Sequence, residues 1–175
     1  MNAILQAMRE RRSVRKFKSD MPSKEQIDQI VEAGLYAASG LGEQASITLV
    51  ITNKELRDKF AEVNRQIGGW AEGFDPFYGA PVIIVVLDRL DWATHGYDGS
   101  LVIGNMLLAA HALGLGACWI HRAKQEFEMD EFKALLASLG VTGEYEGIGH
   151  VALGYPDAPI PEPPARKDGR VFYFE

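Results

Sequence analysis

The stretch LVIGNMLLAAHALGLGACWI, residues 101–120, decides the fold. It is about as long as a helix that spans a bilayer. Asn105 and His111 are polar, however, and Gly104, Gly114 and Gly116 break its continuity, which suits a helix buried in protein better than one in lipid. From Ser100 to Leu113 the pattern is apolar on nearly every side, and a helix tolerates that only when protein surrounds it. ACWIH, residues 117–121, then reads as a strand. The expectation is a central apolar helix that feeds directly into a sheet.

On the N-terminal side, Ser23 and Gln26 in PSKEQ have capping-box spacing. Ile27, Ile30, Val31, Gly34, Leu35 and Ala38 then recur at helical intervals up to about Gly40. ITLVI, residues 47–51, is a short β-branched strand. Asn53 caps a second amphipathic helix carrying Leu56, Phe60, Val63 and Ile67 on one face. Pro81 opens VIIVVL, a continuous apolar run that predicts a strand buried on both faces.

Toward the C-terminus, Phe132, Leu135, Leu136 and Leu139 mark a helix closed by Gly140, and GIGHVALGY, residues 147–155, reads as a further strand. The fold class predicted is α+β, a mixed, mainly antiparallel sheet around the central helix. With 175 residues the chain suits one domain over 1–175. Pro156, Pro159, Pro161, Pro163 and Pro164 make 156–175 an extended arm. It ends in a DG turn and in VFYF, a short strand expected to bury against something such as another subunit.

Lys and Arg number 18 against 24 Asp and Glu, a net charge of −6. That balance argues against a general nucleic-acid or membrane-surface binder. The single Cys118 excludes an intramolecular disulfide and a multi-cysteine metal site, and points to a reducing compartment, the cytosol. MNAILQAMRERR does not read as a signal peptide. His111 reads as a core residue and His95 and His150 share no ligand spacing with it, so no metal is expected. GLGACW and GIGHVALG fail the strand–turn–helix context of a dinucleotide fingerprint.

RRSVRKF, residues 11–17, reverses the sign of the chain: Arg9, Arg11, Arg12, Arg15, Lys16 and Lys18 face Glu10 alone. Three readings stand. The run is a solvated basic face, a nucleic-acid contact, or a phosphate site. In the last, Arg forks grip the anion and Ser13 adds a short donor, with Arg11, Ser13 and Arg15 on one side of an extended segment. Arg166 and Lys167 add charge if the termini meet. Trp70, Phe74, Phe77 and Tyr78 suit either a lid over a flat ligand or ordinary loop packing.

RRSVRKF after an N-terminal helix, AASGLGEQ after the second helix, DGSLVIGNMLLAAHALGLGACWI and HVALGYP before a proline arm follow one another in order. Together they resemble the FMN-dependent nitroreductase family over nearly the whole chain. The resemblance implies an intertwined homodimer with two FMN sites, each built from both subunits. Electrons would pass from NADH or NADPH through flavin N5 to nitroaromatic, quinone or similar small-molecule acceptors in ping-pong order, with no catalytic side chain.

By the same resemblance, Arg11, Arg12, Ser13 and Arg15 sit where the family grips the phosphate and ribityl chain, with Arg166 and Lys167 near its C-terminal phosphate contacts. Ser39, Gly40 and Gln44 fall in a loop that reaches the flavin from the partner. Trp119, Ile120 and His121 border the ring, where the family often places a backbone N–H near N5. Phe74, Phe77, Tyr78 and Arg122 are the candidate substrate contacts. The second block departs from the pattern P-S-A-x-N-x-Q-P-W: Gly42 replaces its asparagine, and Ala45 and Ser46 stand at its end, leaving Gln44 as the remaining amide. The alternatives are a flavin-binding or sensing protein without turnover, or a family variant acting on iodinated substrates or on flavin itself.

Overall fold

The computed structural model describes residues 2–175. Its helices are α1 (Ala3–Glu10), α2 (Lys24–Leu35), α3 (Lys54–Gly68), α4 (Tyr97–Ala112), α5 (Ala123–Phe127) and α6 (Asp130–Ser138). Its strands are β1 (Ser46–Ile51), β2 (Val82–Arg89), β3 (Gly116–Ile120) and β4 (Tyr145–Gly154). Local chemistry sets several boundaries. Ser23 and Gln26 close a reciprocal capping box at α2, with Gln26 N donating to Ser23 Oγ at 3.1 Å and Ser23 N to Gln26 Oε1 at 3.0 Å. Asn53 Oδ1 accepts the Leu56 amide at 2.9 Å, and Gly69 ends α3 in the left-handed conformation.

The strands pair antiparallel in the order β1-β2-β4-β3. The parallel component of the expected mixed sheet is a single isolated bridge, Ser13 to Ala117. β2 runs through the middle with Val82 to Leu87 fully buried, as its unbroken apolar run requires.

The sheet, rather than the helix, is the centre. On one face α4 and α2 pack Val102, Ile103, Met106, Ile27 and Ile30 against Val82, Ile84, Val86 and Val151. Gly34 allows the close approach of α2 to α4, because a Cβ there would sit 2.5 Å from Met106 Cε. On the other face α3, α5 and α6 bring Phe60, Phe127 and Phe132 against Ile83, Val85 and Ala152.

The expectation that protein surrounds α4 needs correction for the single chain. The sheet, α2 and in part α1 cover α4, while Tyr97, Leu101, Gly104 and Asn105 stay exposed. VFYF forms no strand in the single chain, and all four of its residues are exposed. Among the described residues no helix is long and apolar enough to cross a membrane.

Candidate functional site

The basic stretch leaves α1 by folding one of its own cations back. Arg12 donates through both Nη atoms to the carbonyls of Arg9 and Arg11, closing the C-terminus of α1. The chain then runs beside β3, where Val14 N donates to the Ala117 carbonyl at 3.0 Å, with Val14 and Phe17 buried as anchors. On its other side the stretch is stitched to the root of the arm. Lys18 N donates to Tyr155 O at 2.9 Å, Asp157 N to Lys16 O at 3.0 Å, and Lys16 Nζ pairs with Asp157 at 2.9 Å.

The arm turns back over α1, so the two ends of the chain do meet. Arg9, Arg12 and Arg166 share a cleft of about 400 Å³ with Met8, Pro163 and Pro164. A second cleft of about 250 Å³ lies between Ser13–Lys16 and Ala158–Pro161. Arg166 hydrogen-bonds the Pro164 carbonyl at 2.7 Å, and Lys167 is exposed. Burial pushes the Cys118 thiol above its usual range. Arg15, a hydrogen bond with Ser13, and Arg11 oppose that rise, which places these three groups together at the start of β3.

Arg11 Nη1 is buried with no hydrogen-bond partner, and so is Arg12 Nε. A buried guanidinium donor without an acceptor is costly, and an anionic oxygen is the acceptor that fits it.

At the far end of β3 a different surface forms. Four residue steps, from Ala117 to His121, separate it from the basic stretch, about 13 Å of extended chain. Trp119 lies across Gly149, where a Cβ would fall 2.1 Å from Nε1, and keeps 37% of its surface exposed. Ile120 points into the core, so only its backbone can border a ligand. His121 is exposed, and Arg122 adopts φ 84° in the left-handed region.

The Arg122 guanidinium stacks 4.3 Å from the Trp70 ring. Trp70 meets Phe74 at 5.0 Å, and Phe74 meets Tyr78 edge-on at 6.2 Å. Phe77 is the exception in this run. It is fully buried, against His150 at 5.1 Å and under Arg57 at 5.6 Å, because its neighbours turn outward while it fills the core. Phe77 therefore belongs to the packing and not to a substrate surface.

Ser39, Gly40 and Gln44 lie elsewhere. Gly40 N donates to both Asp98 carboxylate oxygens, at 3.2 and 3.1 Å, and Gln44 N donates to Ser39 Oγ at 3.1 Å. This loop sits at the N-terminus of α4, whereas the basic stretch joins β3 just past the C-terminus of α4. The 16 residues between make roughly 24 Å. Within one chain the structure gathers Arg11, Ser13 and Arg15 at the start of β3, sets Arg12 with Arg166 in the cleft beside α1, and leaves the loop apart.

Asp98, which holds this loop, was missed. Its signal was an acidic residue in the first turn of an otherwise apolar helix, the position where backbone donors are unpaired.

The sequence model of the Nitroreductase family matches residues 8–155. A relative from Methanothermobacter thermautotrophicus, provisionally named NADH dehydrogenase/NAD(P)H nitroreductase, is 30% identical over 160 residues, covering 87% of this chain and 77% of its own. The crystal structure of a nitroreductase with bound FMN from Bacteroides fragilis superposes with a TM-score of 0.87 at 29% identity, covering all of both chains. A nitroreductase with bound FMN from Desulfitobacterium hafniense gives 0.88 at 28% identity, again over both whole chains.

Proposed function

The chain belongs to the nitroreductase family, and from that premise we propose that it is an FMN-dependent oxidoreductase that works as a single-domain homodimer. The observation that carries this reading is the buried, unpartnered Arg11 Nη1 beside Ser13, in a chain whose solved relatives hold FMN. Arg11, Ser13 and Arg15 would take the phosphate, with Arg166 closing from the arm and Arg12 setting the end of α1. Trp119, Ile120 and His121 would border the ring. The chemistry FMN supplies when bound is two-electron transfer at N5, from NADH or NADPH to a nitroaromatic, quinone or similar acceptor, in ping-pong order.

The homodimer reading is supported by what the single chain leaves uncovered. Tyr97 and Leu101 of α4, Leu35 and Tyr36 at the end of α2, and Ile4, Leu5 and Met8 of α1 are all exposed large apolar residues. A second copy over α4 would cover them, and it would also bring its own Ser39, Gly40 and Gln44 toward the ring end of β3. Such an arrangement suits an intertwined dimer in a reducing cytosol, where Cys118 stays a free thiol.

Purification followed by absorbance spectroscopy tests the proposal. A yellow protein that releases FMN on denaturation and bleaches anaerobically with NADH or NADPH is the expected outcome. A colourless chain that takes up no added FMN overturns it, and binding without bleaching reduces the protein to a flavin binder.

A further inference from the structure

Beneath the end of β3 three polar side chains from three elements meet inside an aromatic core. Asn64 of α3, Glu126 of α5 and His150 of β4 are each fully buried. Glu126 Oε2 lies 2.6 Å from His150 Nε2. Asn64 Nδ2 donates at 2.8 Å to Glu126 Oε1 and at 2.9 Å to the His121 carbonyl. Phe60 and Phe77 stand edge-on to His150 at 6.0 and 5.1 Å, so water has little access to the group.

Stability does not account for this cluster. Burying a carboxylate, an imidazole and an amide among phenyl rings is costly, and an apolar trio of similar volume would hold the core at least as well. What an apolar trio cannot do is grip a backbone carbonyl. The carbonyl gripped here belongs to His121, in the turn that leaves β3. The next residue, Arg122, sits at φ 84°, ψ 4°, which side chains with a Cβ enter only when their surroundings hold them there. Two restraints hold this one: Asn64 on the carbonyl before it, and the Arg122 guanidinium stacked on Trp70.

We propose that Asn64, itself oriented by the Glu126–His150 pair, is a positioning residue for the His121–Arg122 turn and fixes the end of β3 that borders the flavin ring. The inference rests on the FMN reading above, while the turn it concerns exists in the chain without the cofactor. Asn64 needs a fixed orientation to serve the turn, since its amide has to reach the carbonyl and the carboxylate at once. The carboxylate's second oxygen rests against His150 Nε2 at 2.6 Å, a close contact outside hydrogen-bond geometry that limits how the carboxylate can turn.

The test compares Asn64→Leu, Glu126→Leu and Glu126→Gln. Glutamine keeps an acceptor for Asn64 and offers an N–H to His150, so it is the rescuing variant. In the flavin-free full-length chain, the two leucine variants should shift the NMR resonances of the Arg122 amide and the Trp70 indole N–H and leave the Trp92 indole in place. Glu126→Gln should stay close to wild type. With FMN added, the leucine variants should bind about 10-fold more weakly and move the visible absorbance maximum of the bound flavin, while Glu126→Gln does neither.

Unmoved Arg122 and Trp70 resonances in Asn64→Leu overturn the proposal. So does a Glu126→Gln chain as perturbed as Glu126→Leu. Asn64→Ser carries the same comparison if the leucine variant does not fold. Should the resonances move as expected while even the wild type binds no FMN, the positioning of the turn stands and the flavin reading falls.

Discussion

Asp98 accepts the Gly40 amide through both carboxylate oxygens, at 3.2 and 3.1 Å, and takes the Thr94 hydroxyl at 2.9 Å as well. The loop carrying Ser39 and Gln44 is thereby tied to the first turn of α4. In Asp98→Ala the Gly40 and Thr94 donors lose their acceptor, a cost of about 1–3 kcal/mol for a poorly hydrated group. If the partner's loop completes each site, FMN affinity in the dimer should fall by about 10-fold, and Asp98→Asn, which keeps one acceptor oxygen, should lose less. Gly40→Ala should act in the same direction, because its Cβ would lie 2.3 Å from Thr94 Oγ1. Fluorescence titration with FMN measures all three. Wild-type affinity in Asp98→Ala would remove the loop from the site.

Arg11 and Arg12 are adjacent but predict different losses. Each has a buried nitrogen without a partner, Arg11 Nη1 and Arg12 Nε, but both Nη atoms of Arg12 are engaged by carbonyls at the end of α1. Arg11→Ala should weaken FMN binding by about 1–3 kcal/mol without unfolding the chain, and Ser13→Ala by less. Arg12→Ala should instead lower thermal stability by loosening α1. Equal effects of both arginines on FMN affinity and on melting temperature would refute this division.

The Cys118 thiol gives a pH prediction. Burial raises its pKa above the ordinary value near 9.0 more than Arg15, Ser13 and Arg11 lower it. An acid whose folded pKa is raised keeps its proton in the native state after the unfolded state has lost its own. Stability from this group is therefore full below pH 9 and declines as pH rises from there through the folded pKa. Urea unfolding between pH 8 and 10.5 should show a steeper decline for wild type than for Cys118→Ala. The native thiol should also react slowly with alkylating reagents at pH 8.

Much of the frame was legible because its signals are local. VIIVVL could hardly be anything other than a strand covered on both faces, and Ser23 and Asn53 announced their helices through cap chemistry that needs only neighbouring residues. The cover of α4 was only partly legible, because an apolar helix says that it must be covered without saying by what. VFYF has strand composition, but a strand needs a second strand, and in the single chain VFYF pairs with none. The Asn64–Glu126–His150 cluster had no spacing to reveal it, since its members come from three elements. Its one trace was Asn64 itself, a polar residue four positions after Phe60 on the apolar stripe of α3.

The aromatic run separates into core and surface. Phe77→Ala should destabilise the chain by about 3–5 kcal/mol through the cavity it leaves under His150. Phe74, which is partly exposed beside Trp70, should when changed to Ala leave stability nearly intact and raise KM for aromatic acceptors. Thermal melts paired with steady-state kinetics distinguish them. A KM change in the Phe74 variant no larger than the scatter among acceptors would take the run out of substrate binding.

The arm makes a coupled prediction. Its prolines remove backbone donors and stiffen 156–164, so the segment can cross a surface but cannot re-enter the sheet as a central strand. It carries Arg166 to the cleft with Arg9 and Arg12, and beyond it Val171, Phe172, Tyr173 and Phe174 are 67, 78, 84 and 99% exposed. Burying each large side chain against a partner would contribute about 1.5–3 kcal/mol. If VFYF docks as an edge strand on the second subunit while Arg166 closes on phosphate, deleting 165–175 should lower FMN affinity and dimer stability together. Point variants then divide the loss: Arg166→Ala should weaken FMN alone, and Phe172→Ala with Phe174→Ala should weaken the dimer first. Sedimentation at micromolar concentration and FMN titration read the two quantities. The wild type should stay dimeric, with an interface above about 2,000 Å², and a truncated chain unchanged in both measurements would make the arm a passive tail.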